Sequence, residues 1–187
     1  MKTHVSNLVC SANFEVRRIS SICRLLSTDA TETLVSAFVL SCLDYRNSLL
    51  FGSPQYPLNK LQKVQNNAAR LVLRVSKMDH ISPHLAALDW LSIDSWIQYR
   101  LSSLCYNCLN LTVPDYLTEL MRFYKPTRQL RSSSDTSILC IPTVCTHLLG
   151  RRPFSYAALA VWNTPLYETR SSNITSSFKS LLKTYLF

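Results

Sequence analysis

Residues 57–77, PLNKLQKVQNNAARLVLRVSK, decide how the rest of the chain is read. At about 100° per residue, Leu58, Leu61, Val64, Ala68, Leu71, Val72 and Val75 fall on one side of a helix. Lys60, Lys63, Arg70, Arg74 and Lys77 share an arc of about 100° on the other. No acidic residue stands between Asp44 and Asp79, so no carboxylate one turn away blunts the stripe. The pattern predicts a helix from Pro57 to about Ser76 that packs on one face and is basic on the other.

On the N-terminal side, Gly52-Ser53-Pro54 marks a turn. Further back, Val5, Leu8, Val9, Ala12, Val16, Ile19, Cys23 and Leu26 recur at helical steps and predict a half-buried first helix. Asp29 and Glu32 have the spacing of a capping box, so a second helix should begin near Ala30. Its body, Leu34 to Leu50, is apolar nearly all round and predicts a central position.

On the C-terminal side, a short helix is expected after Ser82-Pro83, a longer one over 93–109, and another from Pro114 to about Phe123. From Lys125 to Gly150 the helical period stops. Pro126, the serines 132–134 and the β-prone run 138–144 with Pro142 predict an extended arm with one short strand. Helical signals return over 154–162 and 176–187, where Phe178, Leu181, Leu182 and Tyr185 form a stripe.

The fold class is therefore mainly α: a helical bundle followed by a basic, partly extended C-terminal segment with a short strand and terminal helices. Two glycines are too few for the tight turns of an all-β fold, and 47% hydrophobic residues suffice for a core. The boundary is expected between residues 1–112 and 113–187.

Lysine and arginine outnumber aspartate and glutamate by 20 to 11, and residues 120–187 carry +7 of the +9 net charge. Such a segment favours a polyanionic partner. Arg122, Lys125, Arg128 and Arg131, spaced by threes beside Phe123 and Tyr124, combine charge with stacking surface, as do Arg151 and Arg152 beside Phe154 and Tyr156. Together with the stripe at 60–77, these are the candidate contacts to a phosphate backbone.

Other chemistries find less support. Cys105 and Cys108 form a C-x-x-C that Cys140, Cys145 and His147 would complete as a zinc set, but the pair lies within a helical stripe rather than on a knuckle turn. His80 and His84 lie four apart with Pro83 between them and lack a glutamate. With only Gly52 and Gly150, no P-loop, glycine-rich nucleotide turn or nucleophile elbow exists. No metal, cofactor or small-molecule substrate is expected. The first 26 residues are too polar for a secretory signal and no apolar run approaches the ~20 residues of a membrane span, so an intracellular, nuclear or cytoplasmic chain with free thiols is expected.

SCLDYRNSLLFGSPQYPLNKLQKVQNNAARLVLRVSKMDHISPHLAALDWLSI (41–93) resembles the region downstream of the polymerase palm in reverse transcriptases of non-LTR, LINE-type retrotransposons of the jockey-like group. The likeness continues, in family order and spacing, through LSSLCYNCLNLTVPDYLTELMRFYKPTRQLRSS (101–133), GRRPFSYAALAVWN (150–163) and SSFKSLLKTYLF (176–187), with HVSNLVCSANFEVRRISSI (4–22) in front. In that family a Tyr-Ala-Asp-Asp loop and a further aspartate hold two metal ions for nucleotide addition. This chain has no Asp-Asp pair. The resemblance thus implies a noncatalytic thumb-like and C-terminal region, with RNA or an RNA–DNA hybrid as partner and a fingers-palm polymerase region as a second one. Departures at Cys42, Arg46, Ser92 and 161–166 are of the kind a relic copy accumulates. The alternative is a structural or protein-interaction module that packs on a polymerase palm without binding nucleic acid itself.

Overall fold

A computed structural model describes residues 2–45, 47–110, 114–124, 137–143, 153–172 and 174–187. The described residues are mainly helical, and they form two compact units, Met1–Asp94 and Ser95–Phe187. This division lies well before residue 112. The helix over 93–109, assigned from sequence to the first region, belongs almost wholly to the second unit, because its apolar side chains pack with C-terminal aromatic residues.

The first unit opens with α1, Lys2–Ile22, which buries Val5, Leu8, Ala12 and Ile19 and packs mainly on α4. A single 3-10 turn, Cys23–Leu25, leads to α2, Thr28–Val35. The cap of α2 is Ser27, whose Oγ accepts from the Ala30 backbone N–H at 3.2 Å, so the helix starts before the Asp29-Glu32 pair rather than at it. A π turn at Ser36–Leu40 and α3, Ser41–Asp44, follow. The extra residue in the π turn rotates the face, and Phe38 is exposed while Val35, Val39, Leu40 and Leu43 are buried. This segment is therefore half-buried, not central, and its regular helix ends at Asp44 rather than Leu50.

Helix α4 spans Gln55–Leu73, with Pro54 as N-cap and Pro57 in the first turn, where a missing N–H costs no intrahelical bond. It buries Leu58, Leu61, Val64, Ala68, Ala69 and Val72. It ends three residues short of Ser76 because Arg74 adopts a left-handed conformation at φ 54°.

Gln65 is fully buried on α4 and donates to the Leu91 carbonyl at 2.8 Å. Gln62 donates to Gln65 and accepts from the Ile93 N–H at 2.8 Å. This amide chain ties the strand-like residues 91–93 to α4, with α5, Ser82–Ala87, between them in sequence. Each paired amide avoids the cost of about 1–3 kcal/mol of an unpaired buried polar group.

In the second unit, α6 (Ile93–Leu109) buries Ile97, Leu101, Cys105, Tyr106 and Cys108. Short α7, Asp115–Thr118, stops well before Phe123. α8 (Phe154–Trp162), α9 (Tyr167–Arg170) and α10 (Thr175–Leu186) complete the described elements. Phe178 of α10 stacks on Tyr106 with ring centroids 4.3 Å apart and lies 5.8 Å from Trp162.

Among the described residues the expected strand is represented by an isolated antiparallel bridge between Phe123 and Leu139, while residues 125–136 and 144–150 of the expected arm lie outside them. Tyr124 N–H donates to the Ile138 carbonyl at 2.9 Å, and Cys140 N–H to the Arg122 carbonyl at 2.7 Å. Leu139 turns its own N–H and C=O the other way, where both pair with the Asn163 side chain at 3.0 and 2.9 Å. A side-chain amide thus occupies the edge at which a ladder would add its next strand.

Candidate nucleic-acid interface

The outward face of α4 starts one turn earlier than its sequence pattern alone indicates. Tyr56 stands four residues before Lys60 and seven before Lys63, on the same side of the helix. Tyr56 is 68% exposed, and the Lys60 ammonium lies 4.6 Å from its ring centroid, in the range of a cation–π contact. Tyr56, Asn59, Lys60, Gln62 and Lys63 line an open hollow of about 430 Å³.

Among the described residues no carboxylate forms an ion pair with Lys60 or Lys63. Two like charges one turn apart repel by a few tenths of a kcal/mol. A polyanion laid along the helix removes that repulsion and gains attraction to both.

The other end of the stripe is built differently. Arg70 folds back so that Nη2 donates to the Asp79 carbonyl at 3.3 Å, and its Nε is buried without a partner. Arg74 lies beyond the helix, and its Nη2 donates to the Cys23 and Leu26 carbonyls at 2.9 and 2.7 Å, closing the turn between α1 and α2. Lys77 is exposed in the following turn, which Asp79 organises by accepting from the Ser76 N–H at 3.0 Å. The five residues therefore do not form one straight stripe: Lys60 and Lys63 sit outward on α4, Arg70 and Arg74 bind backbone carbonyls, and Lys77 stands apart.

In the second unit Arg122 is exposed beside Phe123 and Tyr124, which are 53% and 49% exposed. The bridge to Leu139 fixes the backbone of this trio. Lys125, Arg128, Arg131, Arg151 and Arg152 lie outside the described residues.

The thiols and imidazoles take other roles. Burial, reinforced by the neighbouring Cys108, pushes the Cys105 thiol far above its ordinary value, and burial also raises Cys108. Both stay protonated at neutral pH, whereas zinc binds thiolate. Among the described residues no group of three or more His, Cys, Asp and Glu is placed to hold a metal ion; Cys145 and His147 lie outside them. His80 precedes α5 and His84 lies within it, so the pair does not share one helical face. No helix among the described residues is long and apolar enough to cross a membrane.

Tyr56 and the glutamines of α4 escape the sequence pattern for separate reasons. A helix begun at Pro57 leaves Tyr56 in the turn, although Pro54 as cap would have brought it in. Gln62 and Gln65 read as ordinary polar residues until their partners, 31 and 26 positions away, are known.

No protein family, curated protein or solved structure matches the chain.

Proposed function

We propose that the chain is a noncatalytic C-terminal part of a LINE-type reverse transcriptase whose task in the parent enzyme is to grip nucleic acid. One observation carries the proposal beyond the motifs: the outward side of α4 presents exposed Lys63 and half-buried Lys60 with no carboxylate to neutralise them. Its ligand is the phosphate backbone of RNA or of an RNA–DNA hybrid, and its setting is intracellular. The basic residues 122–152 supply further phosphate contacts.

The test is a salt titration of binding to an RNA–DNA hybrid that carries a single-stranded RNA overhang. Affinity should fall linearly on a log–log plot against salt, with a slope of about −0.7 to −0.9 per neutralised phosphate. Absence of binding at low salt would remove the proposal.

A second proposal, a module that docks on a polymerase palm, is favoured by Phe14, Ile22, Leu25 and Phe38, large apolar side chains of the first unit left exposed. It predicts association with a fingers-palm fragment and indifference to polyanions.

A further inference from the structure

We infer that Tyr56 is a stacking platform for an unpaired base, so that the α4 face takes single-stranded nucleic acid rather than duplex alone. The inference rests on the nucleic-acid proposal and narrows it.

The geometry supplies the parts in sequence. Tyr56 as a residue is largely exposed, although an aromatic side chain gains nothing for the fold by that. Lys60 lies over the ring at 4.6 Å and occupies one of its two faces. With the residue 68% exposed, side-chain surface remains for a flat partner. A base inside a duplex is already stacked on both sides and offers no face to a side chain, whereas an unpaired base does.

The surrounding groups suit the rest of a nucleotide. The hollow of about 430 Å³ that Tyr56, Asn59, Lys60, Gln62 and Lys63 line falls in the size range of small-ligand clefts, about 300–1,000 Å³. The Lys60 ammonium lies against the ring, and Lys63, about 5–6 Å from Lys60 at Cβ, lines the same hollow, so both are placed to meet the flanking phosphates. Asn59 Oδ1 accepts from Gln55 Nε2 at 3.2 Å, which leaves the Asn59 amide N–H groups to donate to a base edge or sugar oxygen. Gln62, by contrast, has both ends committed within the protein and acts as a wall. Charge alone would hold any polyanion; the exposed ring adds a preference for one that carries free bases.

The experiment compares two fluorescent probes of equal length and charge by anisotropy on the full chain: a single-stranded RNA and its abasic counterpart. The wild type should bind the RNA roughly 5- to 100-fold more tightly, the range of one base–aromatic stack. Tyr56→Leu should abolish that preference without changing the salt dependence, and Tyr56→Phe should keep it. Circular dichroism on both variants should match the wild type, because the side chain is largely outside the core. Equal affinity for the two probes overturns the inference, as does a preference that survives in Tyr56→Leu or vanishes in Tyr56→Phe. Tighter binding to a blunt hybrid duplex than to the single strand also overturns it. In each of these cases salt-dependent binding leaves the basic face standing, whereas weak, salt-independent binding to every probe removes both.

Discussion

Helices α4 and α6 each carry a pair of chemically conspicuous residues three positions apart, and the fold treats the pairs in opposite ways. Lys60 and Lys63 face outward on α4 beside an exposed tyrosine. Cys105 and Cys108 on α6 are both fully buried. The shared spacing guarantees only that each pair lies on one side of its helix. What differs is the rest of that side: α4 continues it with asparagine and arginine, α6 with leucine and isoleucine. A motif's face, more than its spacing, decides whether it meets solvent, and hence whether it is available for binding.

The largest effect that tests this contrast is thiol protection. Under an alkylating reagent, exposed Cys10 should react first, and Cys105 and Cys108 on the order of 10³-fold more slowly, waiting on local opening. Mass spectrometry of the quenched chain reads the order directly. Prompt labelling of Cys105 would break the comparison at its α6 end.

The same thiols give a pH dependence whose sign is fixed. Both hold their protons more tightly folded than unfolded, since burial raises them. Above the unfolded value of about 8.5 the unfolded chain loses those protons while the folded one keeps them, so stability falls as pH rises. A urea midpoint that drops on going from about pH 7 to about pH 9.5 should become flatter in Cys105→Ala/Cys108→Ala. An equal drop in that variant would assign the loss to other groups.

Within α4 the contrast sharpens again at Arg74. Its guanidinium serves the α1–α2 turn, so Arg74→Ala should cost about 1–2 kcal/mol of stability and alter nucleic-acid affinity less than twofold. A large affinity loss without a stability loss would return Arg74 to the binding face.

The smallest effect concerns where α2 begins. Ser27→Ala should cost about 1 kcal/mol, and Asp29→Ala less than about half of that, because Ser27 holds the cap. Denaturant melts of the two variants separate them. The reverse ranking would restore Asp29 as the cap.

Much of the helical layout was legible because amphipathic stripes are local. The helices over 93–109, 154–162 and near 176–187 stand where their periodicity puts them. Three features were not legible, each because a distant group intervenes. Arg74 leaves the helix to reach carbonyls about fifty positions earlier. Among the described residues Leu139 makes a single bridge, and its other side pairs with Asn163, whose side chain carries no signal of that role in sequence. The unit boundary falls in the first turn of α6, whose Tyr106 stacks on Phe178 of α10, a contact that no change in composition announces. In the candidate site, the two lysines were visible as charge without acid, while the ring beside them was not, because Pro57 masked the true start of α4.

The central claim is that unpaired charge on α4 binds a nucleic-acid backbone, and the most direct measurement compares the wild type with Lys60→Gln/Lys63→Gln on the hybrid carrying an RNA overhang, across a range of salt. The slope of log affinity against log salt should become shallower by about 1.4–1.8, and low-salt affinity should fall roughly 10- to 100-fold. An unchanged slope and affinity in the double variant would contradict the account.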